Sequence, residues 1–513
     1  MSKEDFKNKL NRRRFIKGII ALPVIGGLTY AGIRKYNYLT DWLRRKKALE
    51  LIGLDKEQKE LASVFFGKST GNHIRLGVIG MGRRGKALLR TCGFYNKEWI
   101  ERNKEEPSLE AFYNQDDLNV SITGICDVFD LHAEEGINIS KNPLYESGKL
   151  GKVKRYKRYT DLLASSEVDA VIITTPDHWH AQMSIDAAKA GKHVYCEKCM
   201  TRTEQETVEV YNAIKNSNII FQVGHQNRQH GTMIMAKNII NKGILGKISS
   251  IETFTNRNSP DGAWIRHDGK PGDAKSIDWE QFLGNSPKVP FDVKRFYNWS
   301  QYWDYATGLS GQLFSHEYDA INQILNIGIP KAAVASGGIY HYKDDRDIPD
   351  VFHAVFEYPQ HDFTLTYDAT LLNSAIRNKI ILGSDAIMEI GQDLKIKIDR
   401  KSKKHDSLIK NNMIEPSSDI FLFDSQTNEV DAITSATQQY YASRGLTYTI
   451  KDGKLIDSVH LHIRDWLYHI RNGGQPACNI DLGFEGAITC HMATKAYREK
   501  RRVEWNPVTR KIV

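Results

Sequence analysis

The stretch IRLGVIGMGRRG, residues 74–85, runs an apolar strand directly into three glycines spaced G-x-G-x-x-G. In that spacing Gly80 permits the tight turn and Gly82 lets the backbone approach a pyrophosphate. Gly85 lets the following helix pack on the strand, and the helix start offers uncovered N–H groups to phosphate. Met81, Arg83 and Arg84 complete the loop. The next apolar run, VSITGICD, ends on Asp127, where a carboxylate can accept from a ribose hydroxyl and repel a 2′-phosphate. NAD is therefore expected, with Arg83 and Arg84 keeping NADP open as an alternative. The interval from Gly85 to Asp127 exceeds the usual spacing of about 20 residues, which indicates an insertion across residues 101–118.

Further strand runs, DAVIITT, HVYCE and IIFQVG, alternate with helical stretches such as HAQMSIDAAKAG. Alternation of this kind predicts βαβ units and a parallel sheet over residues 74–224. Beyond Gly224 the helix-like TMIMAKNIINKGILG leads into KISSIETFTN, VFHAVFEYP, FTLTYDATL, KIILG and LKIKID. Strands with little helix between them predict an α+β domain over residues 225–513, with a large open, mainly antiparallel sheet and helices toward its end. Residues 400–450 are polar and weakly periodic, and read as loops or a lid.

The chain has 513 residues, enough for two domains, and its net charge of +9 is unevenly placed. Residues 1–35 hold nine Lys/Arg against Glu4 and Asp5, so the remainder carries only +2. A balanced body gives no footprint for nucleic acid. The basic start, NRRRFIKG followed by IIALPVIGGLTYAGI, reads as an export signal, and Arg13-Arg14 with Phe15 and Lys17 resembles a twin-arginine signal. Thr29-Tyr30-Ala31 is the best cleavage candidate, so the segment is expected either to be removed or to stay as a membrane anchor. Residues 36–73 read as a linker helix. A periplasmic or exported protein is expected, touching membrane through its N-terminus alone.

Two motifs carry candidate chemistry. TTPDHWH, residues 174–180, follows the fourth strand, where doubly wound sheets bind ligands. Asp177, His178 and His180 have no further His/Cys pair at ligand spacing, so no metal is expected. HVYCEKC places Glu197-Lys198 between Cys196 and Cys199, a C-x-x-C spacing open to a redox or metal reading.

TTPDHWH together with GKHVYCEK, QVGHQNR and GLSGQLFSHEYD resembles the Gfo/Idh/MocA family, named for glucose-fructose oxidoreductase, inositol dehydrogenase and a rhizopine catabolism protein. The resemblance spans about residues 74 to 505. It implies a Rossmann domain binding NAD(P), a second domain with an open sheet, and a sugar or cyclitol substrate between them. It places Thr175, Pro176, Asp177, His180, Glu197, Lys198 and Gln226 beside the cofactor. Lys198 matches the lysine of the family's E-K-P motif, with Cys199 in place of the proline, so Lys198 becomes the working residue and the cysteines incidental. His316 is the candidate general base. The family often sets an aspartate four residues before that histidine, where this chain has Gln312, so Tyr305 and Glu317 are alternative bases. Arg228, Trp299, Trp303 and Tyr305 are candidates for the substrate side, within a region where Trp264, Trp279, Trp299 and Trp303 lie close in sequence.

The expected function is an exported oxidoreductase passing hydride between a carbohydrate or cyclitol carbon and a tightly held nicotinamide. Two rivals stand beside it: a redox-neutral glycosidase or epimerase acting through a transient keto-sugar, and a noncatalytic NAD-bound sugar-binding protein. A homo-oligomer is expected, because open sheets of this family often pair between subunits.

Overall fold

The structure is a computed structural model, described here for residues 43–44, 47–54 and 71–513 apart from 265–266, 268, 392, 416–418, 425–447 and 452–453. The export segment, most of the linker and the middle of the 400–450 stretch lie outside the described residues. Helical residues 47–52 bring Ala48 into the core of the second domain, and Lys242 Nζ donates to Gly53 O at 2.6 Å.

Six parallel strands form the first sheet: β1 (Ile74–Ile79), β2 (Val120–Cys126), β3 (Lys154–Tyr156), β4 (Ala170–Ile173), β5 (His193–Cys196) and β6 (Phe221–Val223). Their order is β3-β2-β1-β4-β5-β6. The order reverses between β1 and β4, and a crevice for a dinucleotide opens at that switch beyond the strands' carboxyl ends. Strands β2 and β4 are buried at every residue, as a sheet covered on both faces requires. The long interval before β2 holds two helices, Lys97–Arg102 and Pro107–Asn114.

The second sheet has ten strands in the order β14-β13-β12-β11-β7-β10-β9-β8-β17-β18. They are β7 (Ile248–Asn256), β8 (Ala332–Gly338), β9 (Val351–Tyr358), β10 (Phe363–Thr370), β11 (Lys379–Gly383), β12 (Ala386–Ile390), β13 (Asp393–Ile398), β14 (Asp419–Asp424), β17 (Val503–Asn506) and β18 (Lys511–Ile512). A separate hairpin pairs β15 (Tyr448–Lys451) with β16 (Lys454–Asp457). The large sheet is antiparallel except where β10 runs parallel to β7. Burial alternates along β9 and β10, so one face meets helices and the other faces outward, where His353 Nδ1 and Asp368 Oδ1 pair at 2.7 Å.

One helix packs across the boundary at residue 224. Helix Ser458–Asn472 returns to the first domain, where Ile463, Trp466 and Leu467 join the core of the first sheet. Gln222 Nε2 donates to His462 O at 2.7 Å, tying that helix to β6. Its apolar residues share that core with Leu88, Leu89, Ala133 and Ile139 of the preceding helices.

Candidate active site

The cofactor end is built chiefly from backbone. Gly80 has φ of +92°, and a Cβ there would stand 2.9 Å from the Thr174 backbone. At Gly85 a Cβ would fall 2.2 Å from Gly80 O, so only glycine lets helix Arg83–Thr91 start this close to β1. A Cβ on Gly82 would meet nothing within 4 Å, which leaves the backbone there open to a ligand. The helix has no acidic residue in its first turn and no side-chain cap at Gly82. Its first N–H groups thus suit an anion, and Arg83 and Arg84 add positive charge at that helix start.

Asp127, buried at the end of β2, accepts from Phe129 N at 2.7 Å and from Met81 N. Each oxygen keeps a second lone pair for a hydroxyl, so the donor set fits the adenosine ribose and pyrophosphate of NAD. Arg84 reaches across the crevice and bonds Glu197 Oε1 at 2.7 Å, and Gln226 Nε2 donates to the same oxygen at 2.9 Å. The phosphate loop is thereby latched to the segment that carries Lys198.

The chemistry end is built from side chains of separate elements. Lys198 follows β5, and its Nζ lies 3.2 Å from Gln312 O, 3.4 Å from Gln312 Oε1 and 4.8 Å from the centre of the Trp264 ring. Gln312 sits in a π-helical turn, Ser310–Phe314, that opens into helix Ser315–Leu325. Gly311 allows this turn to press on the Lys198 loop, since a Cβ there would come 2.9 Å from Cys199 Sγ. Gln312 Nε2 donates to Asp177 Oδ2 at 2.5 Å, and Thr307 adds its N–H at 3.2 Å and its hydroxyl at 3.1 Å to the same oxygen.

His316 lies one turn further along, buried, with its ring 5.8 Å from Trp264 and 5.7 Å from His225. Burial, with the positive charges of Lys198 and Arg257 beside it, holds its pKa well below the usual histidine value. The imidazole is therefore neutral. His180 faces two carbonyls, Cys199 O at 2.5 Å and Thr175 O at 2.8 Å. Burial acts to lower its pKa, but Cys196, Asp177 and the Cys199 carbonyl outweigh this and raise it to about 9. As an imidazolium it donates to both carbonyls and ties the loop after β4 to the loop after β5.

The structure thus brings Gly80 to Gly85, Asp127, Thr175, Asp177, His180, Glu197, Lys198, Gln226 and His316 together through these contacts, with Pro176 capping the helix that starts at Asp177. Four other candidates are engaged elsewhere. Arg228 is buried in an ion pair with Asp319, its Nε 2.8 Å from Oδ1. Trp299 packs in an apolar cluster with Phe282 and Phe296. Trp303 donates its indole N–H to Asp347 O at 2.9 Å and lies under Arg498. Tyr305 is fully buried, its ring against His178 and its hydroxyl toward Arg295. Glu317 is equally committed, its Oε2 2.7 Å from the buried Lys379 ammonium. The tryptophan at the site is Trp264, flanked by Lys198 and by Arg257, whose Cζ lies 4.0 Å from the ring centre. The six cysteines are free, buried thiols, and Cys199 Sγ accepts from the Thr307 hydroxyl at 3.1 Å.

A family model described as "Oxidoreductase family, NAD-binding Rossmann fold" matches residues 74–225, and one described as "Oxidoreductase family, C-terminal alpha/beta domain" matches residues 237–505. The chain belongs to the Gfo/Idh/MocA oxidoreductase family. NAD is the cofactor its first domain is built to hold. Among Gfo/Idh/MocA relatives, levoglucosan dehydrogenase of Pseudarthrobacter phenanthrenivorans is 30% identical over 183 residues, 35% of this chain and 41% of that protein. A glycosyl hydrolase family 109 protein of Shewanella baltica is 25% identical over 252 residues, 47% of this chain and 45% of that protein. The chain spans about half the length, or less, of the curated relatives it first matches. In fold it is similar to levoglucosan dehydrogenase solved with NADH, with a TM-score of 0.56, 16% identity, and coverage of 84% of this chain and 99% of that one.

Proposed function

We propose that this Gfo/Idh/MocA protein oxidises a hydroxyl of a carbohydrate or cyclitol. The observation that carries this reading is the neutral, buried His316 set in one crevice with Lys198, at the end of a sheet built for a dinucleotide. Bound NAD supplies the hydride acceptor. Lys198 donates a hydrogen bond to the substrate oxygen and stabilises the negative charge that grows as its proton leaves. His316 takes that proton, which its neutral state permits, and the cations around it favour passing the proton on. Trp264 offers an indole face to the apolar side of a sugar ring. The levoglucosan dehydrogenase relative supports the carbohydrate class.

A second reading, redox-neutral cleavage or epimerisation through a transient keto-sugar, is supported by the glycosyl hydrolase family 109 relative. Product analysis with a panel of sugars separates the two. A product two electrons more oxidised supports the first, and an isomer or released aglycone supports the second.

The basic, apolar N-terminus supports export by the twin-arginine route, which carries folded proteins and with them a bound cofactor. No described helix is long and apolar enough to cross a membrane. Fusing residues 1–35 to a reporter that must be exported folded tests the route: export lost on replacing Arg13 and Arg14 supports it, and export unaffected by that change refutes it. The outward face of the second sheet, with Val334 and Val355 exposed, is the surface we assign to self-association. Sedimentation of the wild type against Val355→Lys tests that assignment, with dissociation expected.

A further inference from the structure

The family pattern puts an acid where this chain has Gln312, yet the site is not without a carboxylate. Asp177, at the first position of helix Asp177–Lys189, is 1% exposed. Its Oδ2 takes the Gln312 amide N–H at 2.5 Å, and the opposite end of that amide, Oε1, faces Lys198 Nζ at 3.4 Å. Its Oδ1 is buried without a hydrogen-bond partner. A buried carboxylate with one oxygen unpartnered is costly unless nearby positive charge offsets it. The cations within its field are the ring of His180 and, across one amide, the ammonium of Lys198.

We propose that Asp177 is a positioning residue for the reaction: through the Gln312 amide it orients the Lys198 ammonium and sustains its charge. The amide has one sensible orientation in this setting. With N–H toward the carboxylate, its oxygen must face the ammonium, and the carboxylate polarises that oxygen further. Gln312 O adds a second acceptor at 3.2 Å, which fixes the direction of Nζ. Other titratable groups that feel Lys198 include His316, His225, Cys199 and Cys490. Burial keeps both imidazoles and both thiols in their neutral forms. Glu197, next in sequence to Lys198, is held by Arg84 and Gln226. Asp177 thus brings an acid to the site from the loop after β4, with the glutamine as its spacer.

The inference rests on Lys198 being the group that meets the substrate oxygen, but its test needs no substrate. Purified protein with its bound cofactor is trace-labelled with acetic anhydride over a range of pH, and acetylation of Lys198 is read by mass spectrometry. Asp177→Asn should acetylate Lys198 at least about threefold faster at fixed pH, because a lysine that loses a nearby carboxylate holds its proton less firmly. Gln312→Leu, which cuts the link and leaves Asp177 in place, should do the same. The double variant Asp177→Asn/Gln312→Glu, which moves the carboxylate onto the spacer, should return labelling to the wild-type rate or slower. Melting temperature and bound NAD are measured alongside, so that a folding defect in Asp177→Asn leaves Gln312→Leu to decide. Unchanged Lys198 labelling in Gln312→Leu, or no return in the double variant, would overturn the proposal and reduce Asp177 to a helix-start packing group. Failure of every sugar to react would count against the proposed function without touching this result.

Discussion

The two ends of the crevice are made in different ways. The cofactor end uses consecutive backbone: three glycines within six residues, the start of one helix, and a single acid at the tip of the neighbouring strand. The chemistry end uses side chains brought from the loops after β4 and β5, from Trp264 and from the π-helical turn at Gln312. A site of the first kind tolerates changes of side chain and fails when a Cβ is added. A site of the second kind fails when a charge or a proton is moved.

Acid should have the largest effect, because it charges histidines that are buried and neutral in the fold. His178, His230 and His491 are held down to about 3, and His462 to about 4, in each case chiefly by burial, and His225 and His316 are lowered for the same reason. All are neutral when folded and bind protons once unfolded, so their contribution is complete above pH ~6.5 and is lost as pH falls from there. Each costs about 1.4 kcal/mol per pH unit below that point until its folded pKa is reached. Melting temperature should drop steeply from pH 6.5 to 5. His180 works in the opposite sense, its contribution complete below pH ~6.5 and lost as pH rises from there through about 9.

Removing one charge comes next. Lys198→Ala should reduce turnover by about a thousandfold, the scale for losing one donor to a developing oxyanion, while melting temperature and bound NAD stay near wild type. Steady-state rates with any sugar that turns over, together with cofactor released on denaturation, check both halves of that statement. Gly85→Ala should do the reverse. Its Cβ would strike Gly80 O, so purified protein should retain little NAD, while Lys198 and its partners keep their geometry. The smallest effect is expected at Asp127. Asp127→Ala should weaken NAD about tenfold and NADP less, because the ribose hydrogen bond and the repulsion toward a 2′-phosphate go together. Titrating both dinucleotides into cofactor-stripped protein reads the ratio, and equal losses would confine Asp127 to shaping the turn through Met81 N and Phe129 N.

The same contrast explains what could be read from the sequence. Gly80, Gly82, Gly85 and Asp127 were legible because the strand-turn-helix unit that needs them is local and its spacing is fixed by backbone geometry. Five of the ten strands of the second sheet, β7, β9, β10, β11 and β13, were legible in runs such as VFHAVFEYP. Strand β8, AAVASGG, was not, because Val334 is its one sizeable apolar residue and it takes its place from pairing with β9, nor was β14, which lies in the stretch read as loops or a lid. Helix Ser458–Asn472 was legible as a helix, but nothing in its own residues says that it packs on the other domain. At the chemistry end, Lys198 and His316 were visible by resemblance. Trp264 could not be told from Trp299 or Trp303 by type, and only the fold brings it beside Lys198. Asp177 was read as a cofactor contact, because its link to Gln312 joins positions 135 residues apart.

The central claim is that Lys198 and His316 turn a held nicotinamide into a catalyst for sugar oxidation. It is tested most directly by adding a panel of sugars and cyclitols to the purified, NAD-loaded protein and following the absorbance of the bound nicotinamide. The account predicts reduction by at least one member of the panel in the wild type, slowed about a thousandfold in Lys198→Ala and strongly slowed in His316→Ala proteins that retain the cofactor. A sugar that binds the wild type, shown by calorimetry, while no member of the panel changes that absorbance would contradict the account and favour a sugar-binding protein.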